Sequence, residues 1–171
     1  MDITIRKVSI DDAYDFALNH ITCWQDAYKG IIPEDYLDNM SSELEQRAEK
    51  NRQILANPGD CEYCCVELNG EMIGRLVFGK SHDEDKSDAG EVHAIYLLAP
   101  FWGNGYGKQM LIYALAELKQ AGYKEATIWV FKENIRGRQF YEKHGFVLDG
   151  KEMELVCGKS LKCLRYTLDL R

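Results

Sequence analysis

The sequence predicts an α/β fold in which helices flank one mixed, mostly antiparallel sheet. Three observations predict it. Strand-like and helix-like hydrophobic patterns follow one another in the order β-α-α-(α)-β-β-β-α-β-α-β-β. Asn69-Gly70 stands between two apolar runs, which is the strongest short signal of a hairpin. An apolar run that ends near Leu98 passes through a glycine-rich stretch directly into a helical pattern.

The first third of the chain carries one strand and then mostly helical patterns. Apolar and polar residues alternate over residues 3–8, which predicts the first strand. Apolar residues at three- and four-residue steps predict an amphipathic helix over 12–29, and a helical turn follows over 34–40. Ser42 and Glu45 have the spacing of a capping box, which would start a helix that ends near residue 57.

The middle of the chain predicts the centre of the sheet. The hairpin strands cover about 61–68 and 72–79, and the polar, acidic stretch over 80–90 predicts a mobile loop. Its acidic side chains are either a solvated surface or a rim that attracts a cationic substrate. Residues 91–98 are apolar on both faces, which predicts a central strand.

The last third alternates helices and strands. A helical stripe follows the glycines and ends at Gly122, and a buried strand follows over 126–131. Asn134 can cap a helix that runs to His144 and ends before Gly145. Residues 146–156 and 161–170 predict two closing strands. No repeat or linker divides the 171 residues, so we expect one domain over 1–171.

Composition excludes several classes of protein. No run of about 18 apolar residues occurs, and the first seven residues lack the apolar core of a signal peptide, which predicts a cytoplasmic protein with no membrane partner. The net charge of −7 argues against nucleic acid as a partner. It leaves room for a cationic substrate, although acidic surfaces also serve solubility alone.

Six cysteines raise the question of a metal or disulfide framework. Cys61, Cys64 and Cys65 fall within a predicted strand, where Cys61 and Cys64 would face opposite sides of the sheet. A structural zinc site usually needs two close pairs in turns. We therefore expect reduced, partly buried thiols and no metal site.

The stretch from Leu97 to Leu111 carries the clearest chemistry. Glycines at 103, 105 and 107 let the backbone turn tightly and approach a ligand, and the helix that follows presents unpaired N–H groups. Such a junction binds anions, most often phosphate. The Walker A spacing fails because Trp102 and Gln109 stand where Gly and Ser/Thr are required. The dinucleotide fingerprint fails as well, which leaves a plain glycine-rich turn or another phosphate loop.

The run Trp102-Gly103-Asn104-Gly105-Tyr106-Gly107 resembles the acetyl-CoA loop of the GNAT superfamily of N-acetyltransferases, whose pattern is Gln/Arg-x-x-Gly-x-Gly/Ala. Trp102 departs from the pattern. The element order and the segment Asn-Ile-Arg-Gly-Arg-Gln-Phe-Tyr-Glu-Lys-His-Gly-Phe extend the resemblance over nearly the whole chain. It implies a sheet that splays between its fourth and fifth strands, with the cofactor in the gap.

The resemblance also implies a reaction and a set of cofactor contacts. The reaction is direct acetyl transfer from acetyl-CoA to a small-molecule or peptide primary amine in a ternary complex, without a metal. The chain near Ile95 and Leu97 would pair with the pantetheine arm, and the N–H of Leu97 would bind the thioester carbonyl. Seven residues would hold the pyrophosphate: Trp102, Gly103, Asn104, Gly105, Tyr106, Gly107 and Lys108.

Catalytic candidates follow from the same resemblance. Tyr141 would protonate the leaving thiolate, since a phenol stays protonated at neutral pH. Asn134 would touch the cofactor arm, although an N-cap alone would explain it. Glu91 matches the position of a general base, and His93 is the second candidate; alternatively, the amine loses its proton to solvent. The alternative for each candidate is a structural role: Tyr141 packs in the core, and Glu91 and His93 are hydrated polar side chains at a strand end.

Trp24 and Tyr28 lie one helical turn apart. The resemblance implies that they wall the acceptor pocket, and the alternative is that they belong to the core. Two other functions remain open: a non-catalytic sensor that binds CoA, and transfer of a longer acyl chain. The resemblance also implies a homodimer that pairs through the closing strands.

Overall fold

The computed structural model describes residues 3–171. Met1 and Asp2, at the start of the segment interpreted as lacking a signal peptide, lie outside the described residues. The elements in chain order are β1 (Thr4–Lys7), α1 (Ala13–Ala27), α2 (Glu34–Asn39), α3 (Leu44–Ala56), β2 (Cys61–Leu68), β3 (Glu71–Lys80), β4 (Gly90–Leu97), α4 (Tyr106–Gln120), β5 (Glu125–Phe131), α5 (Ile135–Lys143), β6 (Val147–Val156) and β7 (Ser160–Asp169).

The strands form one seven-stranded sheet in the order β1-β2-β3-β4-β5-β7-β6. Neighbouring strands are antiparallel except β4 and β5, which are parallel. In the described chain, β4 and β5 pair only at Gly90–Ala126 and Glu91–Thr127, and they diverge beyond that point. The predicted mixed sheet with an opening between its fourth and fifth strands is therefore confirmed.

A β-bulge changes the course of β4. Val77 pairs with Ala94 and Phe78 pairs with Val92, so His93 is an extra residue on β4. Such a bulge reverses the face on which later side chains lie. Val92 before the bulge and Ile95 after it therefore both pack into the same apolar cluster.

Helices cover both faces of the sheet. On one face, α4 buries Met110, Leu111, Ala114 and Leu118 against the central strands. On the other face, α1 and α2 contribute to a second cluster that includes Ile21, Tyr28, Leu37, Phe131 and Leu161. In the part of the chain that the structure describes, no helix is long and apolar enough to cross a membrane.

Local turn chemistry was predicted correctly at one place and wrongly at another. Asn69 and Gly70 have φ of 54° and 84°, the left-handed conformation that a two-residue hairpin turn requires, so the hairpin is confirmed. The capping box at Ser42 is wrong. The Ser42 hydroxyl donates to the Asn39 carbonyl oxygen (2.7 Å) within a 3₁₀ turn, Met40–Glu43, and α3 begins only at Leu44.

Candidate active site

A cavity of about 670 Å³ opens where β4 and β5 diverge. One wall is the second half of β4, and the opposite wall is β5 at Ile128, Trp129 and Val130. The glycine loop and α5 close one end. The cavity exists because the two strands stop pairing after Glu91 and Thr127. Beyond that point their facing edges do not hydrogen-bond each other, so their backbone groups are free to bind a ligand.

The glycine loop presents backbone donors to this cavity. Gly103 and Gly105 have φ of 80° and 82°, which only glycine adopts readily, and Gly105 forms the N-cap of α4. The first backbone hydrogen bond of α4 runs from Gln109 N–H to the Gly105 carbonyl oxygen (3.2 Å). The N–H groups between Gly105 and Gln109 precede that bond, so they have no partner within the helix and suit an anion.

The edge of β4 also points donors into the opening. Leu98 donates its N–H to the Ile73 carbonyl oxygen (2.9 Å), so that residue faces β3. Because backbone groups alternate in direction along a strand, the N–H groups of Leu97 and Ile95 face the gap. The Leu97 carbonyl oxygen, on the same side, accepts a hydrogen bond from Trp102 Nε1 (2.8 Å).

Trp102, the departure from the family pattern, has a structural role in the loop. Its indole N–H binds Leu97, and the guanidinium of Arg136 lies 3.4 Å from the ring centroid in a cation–π contact. Arg136 and Lys108 both line the cavity. A cation held on the indole face therefore stands beside the glycine loop, where the family pattern would have a Gln or Arg side chain.

Tyr141 and Asn134 reach the cavity from α5. The Asn134 side-chain oxygen accepts the Gly137 N–H (3.0 Å), so Asn134 is the predicted N-cap of α5 and lines the cavity as well. Tyr141 is 8% exposed, and burial raises its pKa well above the ordinary value. Its phenol is therefore a proton donor throughout the physiological range.

Glu91 and His93 form a pair at the start of β4. Glu91 is 7% exposed, and its Oε1 lies 3.1 Å from His93 Nδ1, while Oε2 accepts from the Ser81 hydroxyl (3.0 Å). Burial alone would raise the pKa of Glu91, but these hydrogen bonds outweigh it and lower the pKa. His93 lines the cavity and Glu91 does not, so the carboxylate expected as a base lies behind the imidazole.

Trp24 and Tyr28 occupy different positions relative to the cavity. Tyr28 lines it while being 7% exposed, and its hydroxyl hydrogen-bonds that of Tyr96 (2.9 Å). Trp24 packs edge-on against Tyr28, with ring centroids 5.0 Å apart, and is not part of the lining. One aromatic of the predicted pair therefore faces the cavity, and the other supports it.

The structure brings most of the predicted residues to one cavity. Those that line it are Tyr28, His93, Ile95, Leu97, Trp102, Gly103, Gly105, Gly107, Lys108, Asn134 and Tyr141. Those that do not are Trp24, Glu91, Asn104 and Tyr106. Sequence reasoning missed twelve further lining residues, and those with large polar or aromatic side chains beyond β4 include Trp129, Arg136, Phe140, Lys143 and His144. Four of these five, all except Trp129, lie on or directly after the helix that Asn134 caps. Their position on that helix was the sequence feature from which they could have been predicted.

Comparisons with known proteins agree with this geometry. The sequence model described as "Acetyltransferase (GNAT) family" matches residues 22–146. An uncharacterized N-acetyltransferase, YuaI of Bacillus subtilis, is 28% identical over 77% of this chain and 73% of its own. A spermidine N(1)-acetyltransferase of Thermoplasma acidophilum is 24% identical over 87% and 91%.

A solved structure shares the fold over its full length. It is the PaiA N-acetyltransferase from Thermoplasma acidophilum in complex with coenzyme A, with a TM-score of 0.77 and 22% identity, covering 99% of both chains.

Proposed function

The chain belongs to the acetyltransferase (GNAT) family, and we propose that it transfers an acetyl group from acetyl-CoA directly to a primary amine in a ternary complex. The observation that carries this proposal is the array of unpaired backbone N–H groups at the Gly105 N-cap, which opens on the same cavity as Tyr141. We also propose that residues 1–171 act as one domain.

The residues present suit the cofactor. The N–H groups after Gly105, with the cations of Lys108 and Arg136, match the charge of a pyrophosphate. The strand edge at Ile95 and Leu97 offers backbone groups to the amides of an extended pantetheine arm, as an added strand would. The arginine stacked on Trp102 supplies a polar, cationic group beside the loop, where the family pattern has a Gln or Arg side chain.

Acetyl-CoA supplies a thioester whose carbonyl carbon the amine attacks, so that a C–N bond forms and the C–S bond breaks. The Leu97 N–H donates to the carbonyl oxygen as negative charge develops there. Tyr141 donates its phenolic proton to the departing thiolate, and its raised pKa keeps that proton available. Holding both reactants in one cavity supplies much of the acceleration.

The amine must lose a proton, and we assign its acceptance to His93. His93 lines the cavity, whereas Glu91 contacts His93 Nδ1 and accepts from Ser81. Glu91 is then a positioning residue that orients the imidazole through its contact with Nδ1. This is the arrangement by which carboxylates support histidine bases in other enzymes.

The acceptor is proposed to be a small cationic amine. The acceptor end of the cavity is aromatic and apolar, with Tyr28 and Trp129, and aromatic faces attract cations. The chain carries a net charge of −7, and one relative is named a spermidine acetyltransferase. These observations favour polyamines over peptides.

The test is turnover with a panel of amines. Release of free thiol is measured with acetyl-CoA and, separately, spermidine, amino acids, an aminoglycoside and a peptide with a free N-terminus. We expect turnover with at least one amine and preference for acetyl- over propionyl- and succinyl-CoA. Calorimetric binding of acetyl-CoA without turnover of any amine would support a sensor instead, and no binding of any CoA species would remove the proposal.

We further propose that the chain pairs through its edge strand. β6 is a ten-residue outer strand, and four of its apolar side chains are exposed: Val147, Leu148, Leu155 and Val156. An edge of this length with apolar side chains is suited to pairing with a second copy. Sedimentation should show a homodimer, and a monomer at all concentrations would contradict it.

A further inference from the structure

We propose that Cys61, His82 and His93 form a binding site for a transition-metal ion such as Zn²⁺ at the edge of the cavity. Each of the three side chains offers one ligand atom, and these atoms lie within 4.8 Å of one another. A thiolate and two imidazoles are ligands that Zn²⁺ prefers and that Mg²⁺ and Ca²⁺ do not.

The sheet register explains why the cluster forms. Cys61 of β2 pairs with Gly79 of β3, and Gly79 pairs with Glu91 of β4, so the three lie in one row across the sheet. The middle residue has no side chain, and a Cβ there would collide with the Asp60 carbonyl oxygen. The bulge brings His93 beside this row, and His82 follows the end of β3.

The surroundings also suit a metal. Metal-ligating histidines usually donate their second ring N–H to a carboxylate, and His93 Nδ1 lies 3.1 Å from Glu91 Oε1. His93 Nε2 is then the ligand atom; it now lies 3.1 Å from the Lys80 carbonyl oxygen, a contact that the metal would replace. The Glu91 carboxylate adds a compensating negative charge beside a divalent cation.

Only a modest movement completes the site. Tetrahedral donors to zinc lie roughly 3.5 Å apart, given bond lengths of about 2.0–2.3 Å. The exposed His82 ring stacks on that of His93, with centroids 4.5 Å apart, and can rotate inward without disturbing the core. Binding releases the thiol proton of Cys61 to solvent. Three protein ligands leave the fourth position to water, which is an accessible and reversible arrangement.

This inference changes the expectation of no metal site. That expectation considered only whether the cysteines could bind a metal with one another. Cys61 and Cys64 do lie in different environments, because Cys64 is buried in the core and only 1% exposed. The partners of Cys61 are histidines from two other segments, 21 and 32 residues later in the chain. Their spacing matches no short metal motif, so only the fold brings them together.

A bound metal would inhibit the enzyme. A ring nitrogen of His93 that ligates a cation cannot accept the proton of the amine, so occupancy would remove the base. This consequence rests on the proposed function, whereas the metal site itself does not. The site would make acetyl transfer sensitive to free zinc.

The test of the site is a titration of the reduced full-length chain with Co²⁺, followed by absorption. We expect one equivalent to bind with a thiolate-to-cobalt charge-transfer band that Zn²⁺ abolishes by displacement. Cys61→Ser should lose the band, and His82→Ala should weaken binding at least tenfold. Cys64→Ala, on the same strand but outside the cluster, should bind like the wild type. No band in the wild type, or an unchanged band in Cys61→Ser, would overturn the site.

The test of inhibition is acetyl transfer with and without Zn²⁺. Wild-type turnover should fall, and His82→Ala should keep its basal turnover while needing at least tenfold more Zn²⁺ for half-inhibition. His82 is an exposed residue beyond the end of β3, so this variant remains informative if Cys61→Ser fails to fold. Cobalt binding with zinc-insensitive turnover would refute inhibition alone, and absence of turnover in metal-free enzyme would refute the proposed function alone.

Discussion

Tyr141 illustrates at the scale of one residue how burial prepares a side chain for a reaction. The phenol is almost fully enclosed, and the loss of solvation raises its pKa because the phenolate is the charged form. A nearby carboxylate is not needed for this effect. In the proposed reaction, these apolar surroundings would strengthen the hydrogen bond from the phenol to a developing thiolate.

Replacing Tyr141 with Phe should lower kcat about 100-fold and leave KM for acetyl-CoA nearly unchanged, because the proton is needed only as the thiolate leaves. The raised pKa also predicts that wild-type kcat shows no decline attributable to this phenol up to about pH 10. Tyr113→Phe is the control, since Tyr113 packs against the core elsewhere. Equal kcat in Tyr141→Phe and the control would refute the assignment.

The pair of Glu91 and His93 should behave as one unit. His93→Gln removes the proposed base and should lower kcat/KM roughly 100-fold at neutral pH. Glu91→Gln should lower it less, since the imidazole remains but loses the carboxylate that fixes it. Because Glu91 acts through His93, adding Glu91→Gln to His93→Gln should cost little more. Additive losses in the double variant would show that Glu91 acts directly.

At the scale of an element, the turn before α4 combines a left-handed backbone conformation with the proposed pyrophosphate contact. Gly105 has φ of 82°, and an added Cβ would meet nothing within 4 Å in the protein. Gly105→Ala should therefore cost about 1 kcal/mol of stability from strain alone and also raise KM for acetyl-CoA, because a side chain blocks the approach of the pyrophosphate. Thermal unfolding and initial rates measure the two effects.

Gly122 provides a matched control for this prediction. Its φ is 97°, and a Cβ there also meets nothing within 4 Å, but it lies at the far end of α4. Gly122→Ala should lower stability by a similar amount and leave KM unchanged. A KM that moves equally in both variants would show that the effect comes from general destabilisation.

Elements that depend on neighbouring residues were predictable from sequence. The Asn69-Gly70 hairpin, the glycine loop and the cap at Asn134 are each determined within a few residues, and each appears in the structure as expected. Features that depend on distant pairing were not predictable. The bulge at His93 is an example, because it follows from the register with β3 rather than from any motif in β4.

The contact between Arg136 and Trp102 was unpredictable for the same reason. The sequence shows Trp102 where the family pattern has Gln or Arg, and it gives no sign that an arginine 34 residues later packs on the indole ring. The departure from the loop pattern becomes intelligible only when Arg136 of α5 is seen to pack on Trp102. Departures from a local pattern are therefore best judged after the fold is known.

At the scale of the whole molecule, the opening that creates the site also divides the sheet. One half of the sheet is β1 to β4 and the other is β5 to β7, and among the described residues only two residue pairs between β4 and β5 join them. Other interactions must therefore hold the halves together. One such interaction is the Lys86–Glu125 ion pair (2.6 Å). Another centres on Arg165 of β7, whose guanidinium binds Asp83 and Asp85 in the segment between β3 and β4. The sequence predicted this segment as a mobile loop whose acidic side chains are either solvated or a rim for a cationic substrate.

Arg165 is 3% exposed and hydrogen-bonds Asp83 (2.9 Å), Asp85 (2.7 and 2.8 Å) and Asp149 (2.7 Å). Arg165→Gln should lower the Tm at neutral pH by roughly 5 °C, because it leaves clustered carboxylates without their cation and unlinks the two halves of the sheet. Arg171→Gln, which breaks an exposed pair with Asp169, should change the Tm little.

The stabilisation by Arg165 should depend on pH in a defined direction. The Arg165 guanidinium holds the pKa of Asp85 below its ordinary value of 3.8, so the folded state binds fewer protons there than the unfolded state. The stabilisation is therefore complete above the ordinary pKa and is lost as the pH falls through the lower, folded-state value. The Tm gap between wild type and Arg165→Gln should be constant from pH 5 to 8 and should narrow below about pH 3. A gap that persists in acid would mean that Arg165 stabilises the divided sheet by packing rather than by charge.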